Sequence, residues 1–252
     1  MTDTHVQDRP QKARRRRSSE LADMASMAAS ATYETQQLPK RPLRVVLSSP
    51  KGGSGKTGTC RNLAVAAALD SLKVATVDFD PQKTLTNWWQ KRPGEAADIE
   101  HFAANITDVD AVLDGVVDFD IVFFDTAPSV EDHLDEMKKL LVPADLVIVP
   151  TKQSEDDLDS VLPWMTVLRR FQPNSCFLLN AVKPKTKIFQ LARNRIVKTG
   201  HPVCPVEIPD YIDFEEAARI GISVLELRQA KGREQVEGVW NFVRASLSMV
   251  AS

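Results

Sequence analysis

The chain reads as a doubly wound α/β domain on a mostly parallel sheet. Two observations predict this. Short apolar runs rich in β-branched residues recur along the sequence, continuous enough to be buried on both faces, as parallel strands are. The first three of these runs also end in polar groups: a glycine-rich turn, a pair of aspartates and a single aspartate. The carboxyl ends of strands are where open α/β sheets bind their ligands.

With 252 residues the chain can bury a sizeable core, and 43% hydrophobic with 26% charged residues suits a soluble globular protein. No apolar run is long enough to span a membrane and no apolar signal region opens the chain, so a cytoplasmic protein is expected. Cys60, Cys176 and Cys204 are odd in number, widely separated and without metal-ligand spacing, and read as reduced, buried thiols. The net charge of -2 carries no global nucleic-acid signal, so any DNA contact has to come from a local patch.

Composition changes near residue 42. Residues 1–42 are expected to form a basic, flexible extension carrying Arg14-Arg15-Arg16-Arg17, a helically spaced set of Leu21, Met24 and Met27, and a linker from Gln36 to Pro42. The arginines admit two readings, contacts to a phosphate backbone or a solvated tail. Residues 43–252 are expected to hold the folded domain.

Leu43-Arg44-Val45-Val46-Leu47 is the first strand and Asn62 to Leu69, rich in Ala and Leu, the first helix. Between them runs Ser49-Pro50-Lys51-Gly52-Gly53-Ser54-Gly55-Lys56-Thr57. Gly52, Gly53 and Gly55 let the backbone turn tightly and aim successive N–H groups at an anion, and the following helix adds its positive end. Lys56 supplies charge for the β/γ-phosphates, and the Thr57 hydroxyl suits a Mg²⁺ ligand. Strand, loop and helix stand in the order that a nucleotide phosphate loop requires, although Pro50 replaces the first glycine of the motif.

The stretch Lys51-Gly52-Gly53-Ser54-Gly55-Lys56-Thr57 resembles the deviant Walker A motif of the ParA/MinD ATPases, and the chain is most similar to their short plasmid-partition members. In that family a second, signature lysine precedes the glycines and reaches the partner's phosphates in a nucleotide-sandwiched homodimer, a role the resemblance assigns to Lys51. It implies a P-loop NTPase fold and an ATPase using ATP and Mg²⁺, with Lys51, Lys56 and Asp80 as its catalytic set.

Lys73 to Asp80 is the second strand, and the alternation of strand side chains puts Asp78 and Asp80 on one face. Asp78-Phe79-Asp80-Pro81-Gln82 resembles the family's Walker A′ motif, which implies that Asp80 orients the attacking water and Asp78 supports the metal shell. Thr84 to Trp89 opens a helix in which Trp88 reads as packing. Asp120 to Asp125 is a strand matching Walker B, with Asp125 delivered to the Mg²⁺ shell beside Thr57. Leu146 to Thr151 is a core strand like the family's V-P-T segment, followed by an acid-rich helix start at Ser154 to Leu158.

Cys176 to Asn180 is a further strand, ending in an amide that suits the edge of adenine; the resemblance supports that role, and a turn-forming asparagine is the alternative. Val203 to Asp210 is expected as the last strand and loop, with Pro209 closing over the base. Gly58 departs from the family, which has a second threonine there. Glycine costs on the order of 1 kcal/mol in a helix interior and removes a hydroxyl facing the α-phosphate, which Thr59 is one candidate to replace.

The resemblance further implies non-specific DNA as a partner, a cargo-bound ParB-like adaptor that stimulates hydrolysis, a nucleoid-associated location and no membrane partner. Lys183, Lys185, Lys187, Arg193, Arg219 and Arg228 are the candidate DNA contacts, with a solvated surface the alternative for each. Plasmid or chromosome partition is the first expectation. Positioning of a protein assembly, such as a carboxysome or chemoreceptor cluster, uses the same ATPase residues. A MinD-like membrane association needs a basic amphipathic tail, whereas Val236, Val239, Trp240, Val243 and Leu247 are better explained by docking on the core. A redox relative needs paired cysteines that this chain lacks.

Overall fold

The computed structural model describes residues 41–128 and 133–248. The Arg14–Arg17 cluster, the helical spacing around Met24 and most of the expected linker lie outside the described residues.

The described chain alternates strand and helix: β1 (Leu43–Leu47), α1 (Lys56–Leu69), β2 (Val74–Asp78), α2 (Thr84–Trp89), β3 (Glu100–Ala103), α3 (Val109–Gly115), β4 (Ile121–Asp125), α4 (Leu134–Leu141), β5 (Leu146–Thr151), α5 (Glu155–Leu168), β6 (Ser175–Val182), α6 (Lys187–Val197), β7 (Ile208–Pro209), α7 (Asp213–Arg219) and α8 (Arg233–Ser248). A single seven-stranded sheet runs in the order β3-β2-β4-β1-β5-β6-β7. Every pairing in it is parallel, where a mostly parallel sheet was expected. β1 lies at its centre between β4 and β5, and the register sets Leu47 beside Asp125 and Asp78 beside Asp125. Strand order therefore gathers the glycine-rich loop and both acidic strand ends at one edge of the sheet.

Each central strand feeds two cores because its side chains alternate. Val45, Leu47 and Phe123 enter the core beneath α1 and α8, while Val46, Val122 and Phe124 enter the core shared with α4, α5 and α6. α1 is buried on nearly every side, which is why its sequence is Ala-rich without a polar stripe. Val236, Val239, Trp240, Val243 and Leu247 of α8 are all buried against this core, so the terminal helix docks as expected. Among the described residues, no helix is long and apolar enough to cross a membrane.

One strand carried no expectation and one expectation needs correction. β3 was not foreseen: Glu100 and Phe102–Ala103 are exposed and no apolar run marks it. The strand expected over Val203 to Asp210 shrinks to a bridge from Val203 to Phe177 and the two residues of β7, because Pro202, Pro205 and Pro209 interrupt the pairing.

A buried joint ties α2 to the loop before α8. The Trp88 indole N–H donates to the Ile222 carbonyl at 3.2 Å, and Arg92 stacks on the Trp88 ring. Arg92 also forks onto Glu226 at 2.9 and 3.3 Å, and Glu226 accepts the N–H groups of Ala97 and Ser223. Trp88 is thus a packing residue, as expected.

Candidate functional site

Loop, helix and strand ends meet at the carboxyl edge of β1. Gly55 opens α1 with φ 97°, a left-handed conformation, and no side chain caps the helix. The N–H groups of its first turn are thereby left for an anion. A Cβ on Gly55 would stand 1.8 Å from the Asn180 amide nitrogen, so this glycine is required by both backbone and space. Gly52 and Gly53 are exposed at the loop's crest, and Ser54 is buried with its hydroxyl unpartnered.

Lys56 is buried and donates through Nζ to the carbonyls of Ser49, at 3.1 Å, and Lys51, at 3.4 Å. Burial pulls its pKa down, and Asp125 and Asp80 oppose that effect. The Thr57 hydroxyl donates to Asp125 Oδ2 at 2.6 Å. Asp125 is fully buried and its Oδ1 has no hydrogen-bond partner among the described residues. Burial pushes its carboxyl up to about 7, against the pull of the Thr57 hydrogen bond. A hydroxyl and a buried carboxylate with a spare oxygen fit a hard divalent cation such as Mg²⁺. The buried carboxyl would then meet its missing charge.

Lys51 lies with its ammonium 3.0 Å from Asp157 Oδ1. Asp157 is buried in the first turn of α5, where Ser154 caps the helix through the Asp157 N–H at 3.2 Å. Nothing in the sequence flags this pairing across 106 positions, since Asp157 reads only as one acid of an acid-rich helix start.

The two aspartates of Asp78-Phe79-Asp80 differ in their surroundings. Asp80 is partly exposed and accepts the Gln82 N–H at 2.9 Å. Asp78, expected to support the metal shell, has both oxygens committed inside its own loop. Oδ1 accepts the Asp80 N–H at 3.0 Å, and Oδ2 accepts the Thr86 N–H and hydroxyl at 3.0 and 2.8 Å. It is a bracket that holds the loop's shape. Thr86 in turn contacts His101 Nε2 at 3.0 Å, while Nδ1 meets the Thr76 hydroxyl at 2.9 Å. With Thr86 donating to Asp78, it accepts from Nε2–H, which fixes the neutral ring's tautomer.

A cavity of about 290 Å³ opens beside the phosphate loop, lined in part by Gly55, Gly58, Arg61, Asn180, Pro209 and Tyr211. Asn180 and Pro209, both expected near the base, do reach one cavity, although the Asn180 amide also donates to the Ser54 carbonyl at 3.1 Å. Thr59 is buried with an unpartnered hydroxyl. A second cavity, of about 470 Å³, lies between the Asp80 loop, Asn105–Thr107 and Thr126–Pro128.

The expected DNA contacts are more dispersed. Lys183, Lys185 and Lys187 are exposed along one connection and the start of α6, and Arg219 and Arg228 are exposed farther on. Arg193 is instead tied to Glu207 at 3.1 Å. The three cysteines are free and buried, and no trio of metal-ligating side chains occurs among the described residues.

Comparison with known proteins gives this geometry relatives. Residues 45–224 match the family described as the CobQ/CobB/MinD/ParA nucleotide binding domain. The chain is 29% identical over 197 residues to the Gloeobacter kilaueensis protein named maintenance of carboxysome distribution protein A, covering 77% of this chain and 88% of that one. Among solved structures, the cell division ATPase MinD of Pyrococcus furiosus superposes with a TM-score of 0.67 at 17% identity, over 81% of this chain and 98% of that one. A putative plasmid partition protein of Borrelia burgdorferi bound to AMPPNP gives 0.66 at 16% identity, over 81% of this chain and 100% of that one.

Proposed function

Because the chain belongs to the CobQ/CobB/MinD/ParA nucleotide-binding family, we propose that it is a dimerising, Mg²⁺-dependent ATPase that times the attachment of a cargo to non-specific DNA. One observation carries this: a second lysine, Lys51, sits on the loop beside Lys56 and is held by the acid of a neighbouring helix.

In this mechanism Lys56 and the N-terminus of α1 hold the β- and γ-phosphates. Thr57 and Asp125 would hold Mg²⁺, which supplies charge neutralisation on the phosphates. Asp80 orients the water for in-line attack, and Asp78 keeps the Asp80 loop in shape. Lys51 leaves Asp157 and reaches the phosphates of a second copy, so nucleotide completes the homodimer. Asn180 and Pro209 flank the base. DNA contact falls to the exposed Lys183, Lys185, Lys187, Arg219 and Arg228, with Arg193 held back by Glu207. An adaptor on the cargo, ParB-like in its role, triggers hydrolysis and the dimer leaves the nucleoid. The cargo is a plasmid or chromosome in the first reading. The 29% identity to a carboxysome-distribution protein favours a protein assembly as the second.

The test is binding to non-specific duplex DNA with ATP, with ADP and without nucleotide at two salt concentrations, for the intact chain and Lys51→Gln. Binding that requires ATP and Lys51 and weakens with salt is expected. A chain that stays monomeric with ATP and Mg²⁺ overturns the proposal.

A further inference from the structure

Arg61 is a cation of the loop-side cavity that the motifs leave without a role. It lies on α1 three residues after Gly58, hence on the same helix face. It lines the cavity together with Gly55, Gly58 and Asn180. A Cβ built on Gly58 would meet one group within 4 Å, an Arg61 terminal nitrogen at 3.8 Å. The guanidinium is only partly exposed, yet it makes no salt bridge or hydrogen bond among the described residues. Arg92 and Arg233, also partly buried, are engaged on Glu226 and on backbone carbonyls, whereas Arg44 shares the unpartnered state but lies on β1, outside the lining of this cavity. Burial lowers its pKa, with Asp125 opposing, and a guanidinium stays charged at neutral pH regardless.

A cation left without an anion at the rim of a phosphate loop awaits a ligand anion. We propose that Arg61 is an anion-holding residue of the nucleotide site, its guanidinium occupying the room left by Gly58 to grip the phosphate nearest the nucleoside. The ligand class is a nucleoside di- or triphosphate, and the inference rests on the nucleotide-binding function proposed above. Gly58 is then a permissive position: a branched side chain there would crowd the arginine, and the hydroxyl that a threonine offers is replaced by a forked, charged donor.

The experiment is equilibrium titration of the full chain with fluorescent ADP across a range of salt, for the intact protein, Arg61→Gln, Arg61→Lys and Lys56→Ala. Arg61→Gln is expected to weaken ADP roughly 10- to 100-fold, the loss expected of one charge-assisted hydrogen-bonding group, and to flatten the salt dependence. Arg61→Lys, which keeps the charge without the fork, falls between. Affinity unchanged in Arg61→Gln, or reduced with the salt dependence intact, overturns the assignment, the latter result meaning lost packing alone. If the intact protein binds no ADP, the nucleotide function itself fails. Binding that Lys56→Ala abolishes and Arg61→Gln retains sinks only the role of Arg61.

Discussion

Replacing Asp157 by asparagine releases Lys51 from the acid that holds it, and the consequence should appear in dimerisation. The ammonium stands 3.0 Å from Asp157 Oδ1, with 35% of the lysine side chain and 9% of the aspartate side chain exposed. At an effective dielectric of about 20, two charges at that distance attract by about 5 kcal/mol. Screening at the exposed lysine and desolvation of the buried carboxylate reduce the net hold to about 1 kcal/mol. In the proposed nucleotide-sandwiched dimer, two such lysines are drawn away from two such aspartates. Freeing both beforehand is therefore worth about 2 kcal/mol, or roughly a 30-fold tighter dimer. Sedimentation velocity with AMPPNP and Mg²⁺ over a protein dilution series measures this directly. The amide of the Asp157→Asn variant retains an oxygen for the Ser154 hydroxyl and leaves the backbone N–H of the cap in place, so α5 keeps its start. A dimer constant that stays put or weakens in Asp157→Asn refutes the reasoning, because the pair would then be a structural tie rather than a store for the reaching lysine. Adding Lys51→Gln to the same chain should remove the gain.

Three further outcomes are expected. Glu226→Gln leaves the Arg92 guanidinium, only 7% exposed, without its counter-charge, at a cost of about 3 kcal/mol and a Tm lower by roughly 6–12 °C; a shift under about 2 °C in calorimetry would mean that the joint between α2 and the loop before α8 is not held by this pair. Gly221 has φ +77° and a Cβ there would stand 2.5 Å from the Lys91 carbonyl carbon and oxygen. Gly221→Ala should therefore cost more than about 3 kcal/mol in urea denaturation, while Gly94→Ala, with nothing within 4 Å, should change stability by less than about 0.5 kcal/mol. Burial holds the His101 imidazole down at about 4 against an ordinary 6.5, so between those values the unfolded chain takes up a proton that the folded one refuses. Stability contributed by the neutral ring is complete above pH 6.5 and falls as pH drops towards 4, by about 1–2 kcal/mol after allowance for the ring's partial exposure; urea titrations at pH 7 and pH 5 should show this loss flattened in His101→Gln.

What could be read in advance follows from how local each signal is. β1, β2, β4, β5 and β6 announce themselves because a strand buried on both faces needs an unbroken apolar run, and Asp125 is legible because it ends one. β3 escapes because an exposed edge strand needs no such run. Lys56 and Thr57 sit beside the loop that explains them, whereas Asp157 and Asn180 meet it only through the winding of the sheet. Asp78 was legible as an acid at a strand end, but its commitment to Thr86 depends on how the chain turns after Pro81. The one trace of Arg61 in the sequence is a glycine three residues earlier, where a side chain would be expected.

The two ends of the sheet have a bearing on how copies of this chain meet. β7 is two residues long and one of them is a proline, while β3 is four residues long and starts with an exposed glutamate. Neither offers another strand a usable row of hydrogen-bonding groups. Recruitment of a second copy by sheet extension is thereby disfavoured, which agrees with the proposal that copies join at the rim where the phosphate loop lies. Under that proposal the joining surface is completed or dismantled by what it has bound, and the oligomeric state would follow nucleotide loading rather than strand pairing.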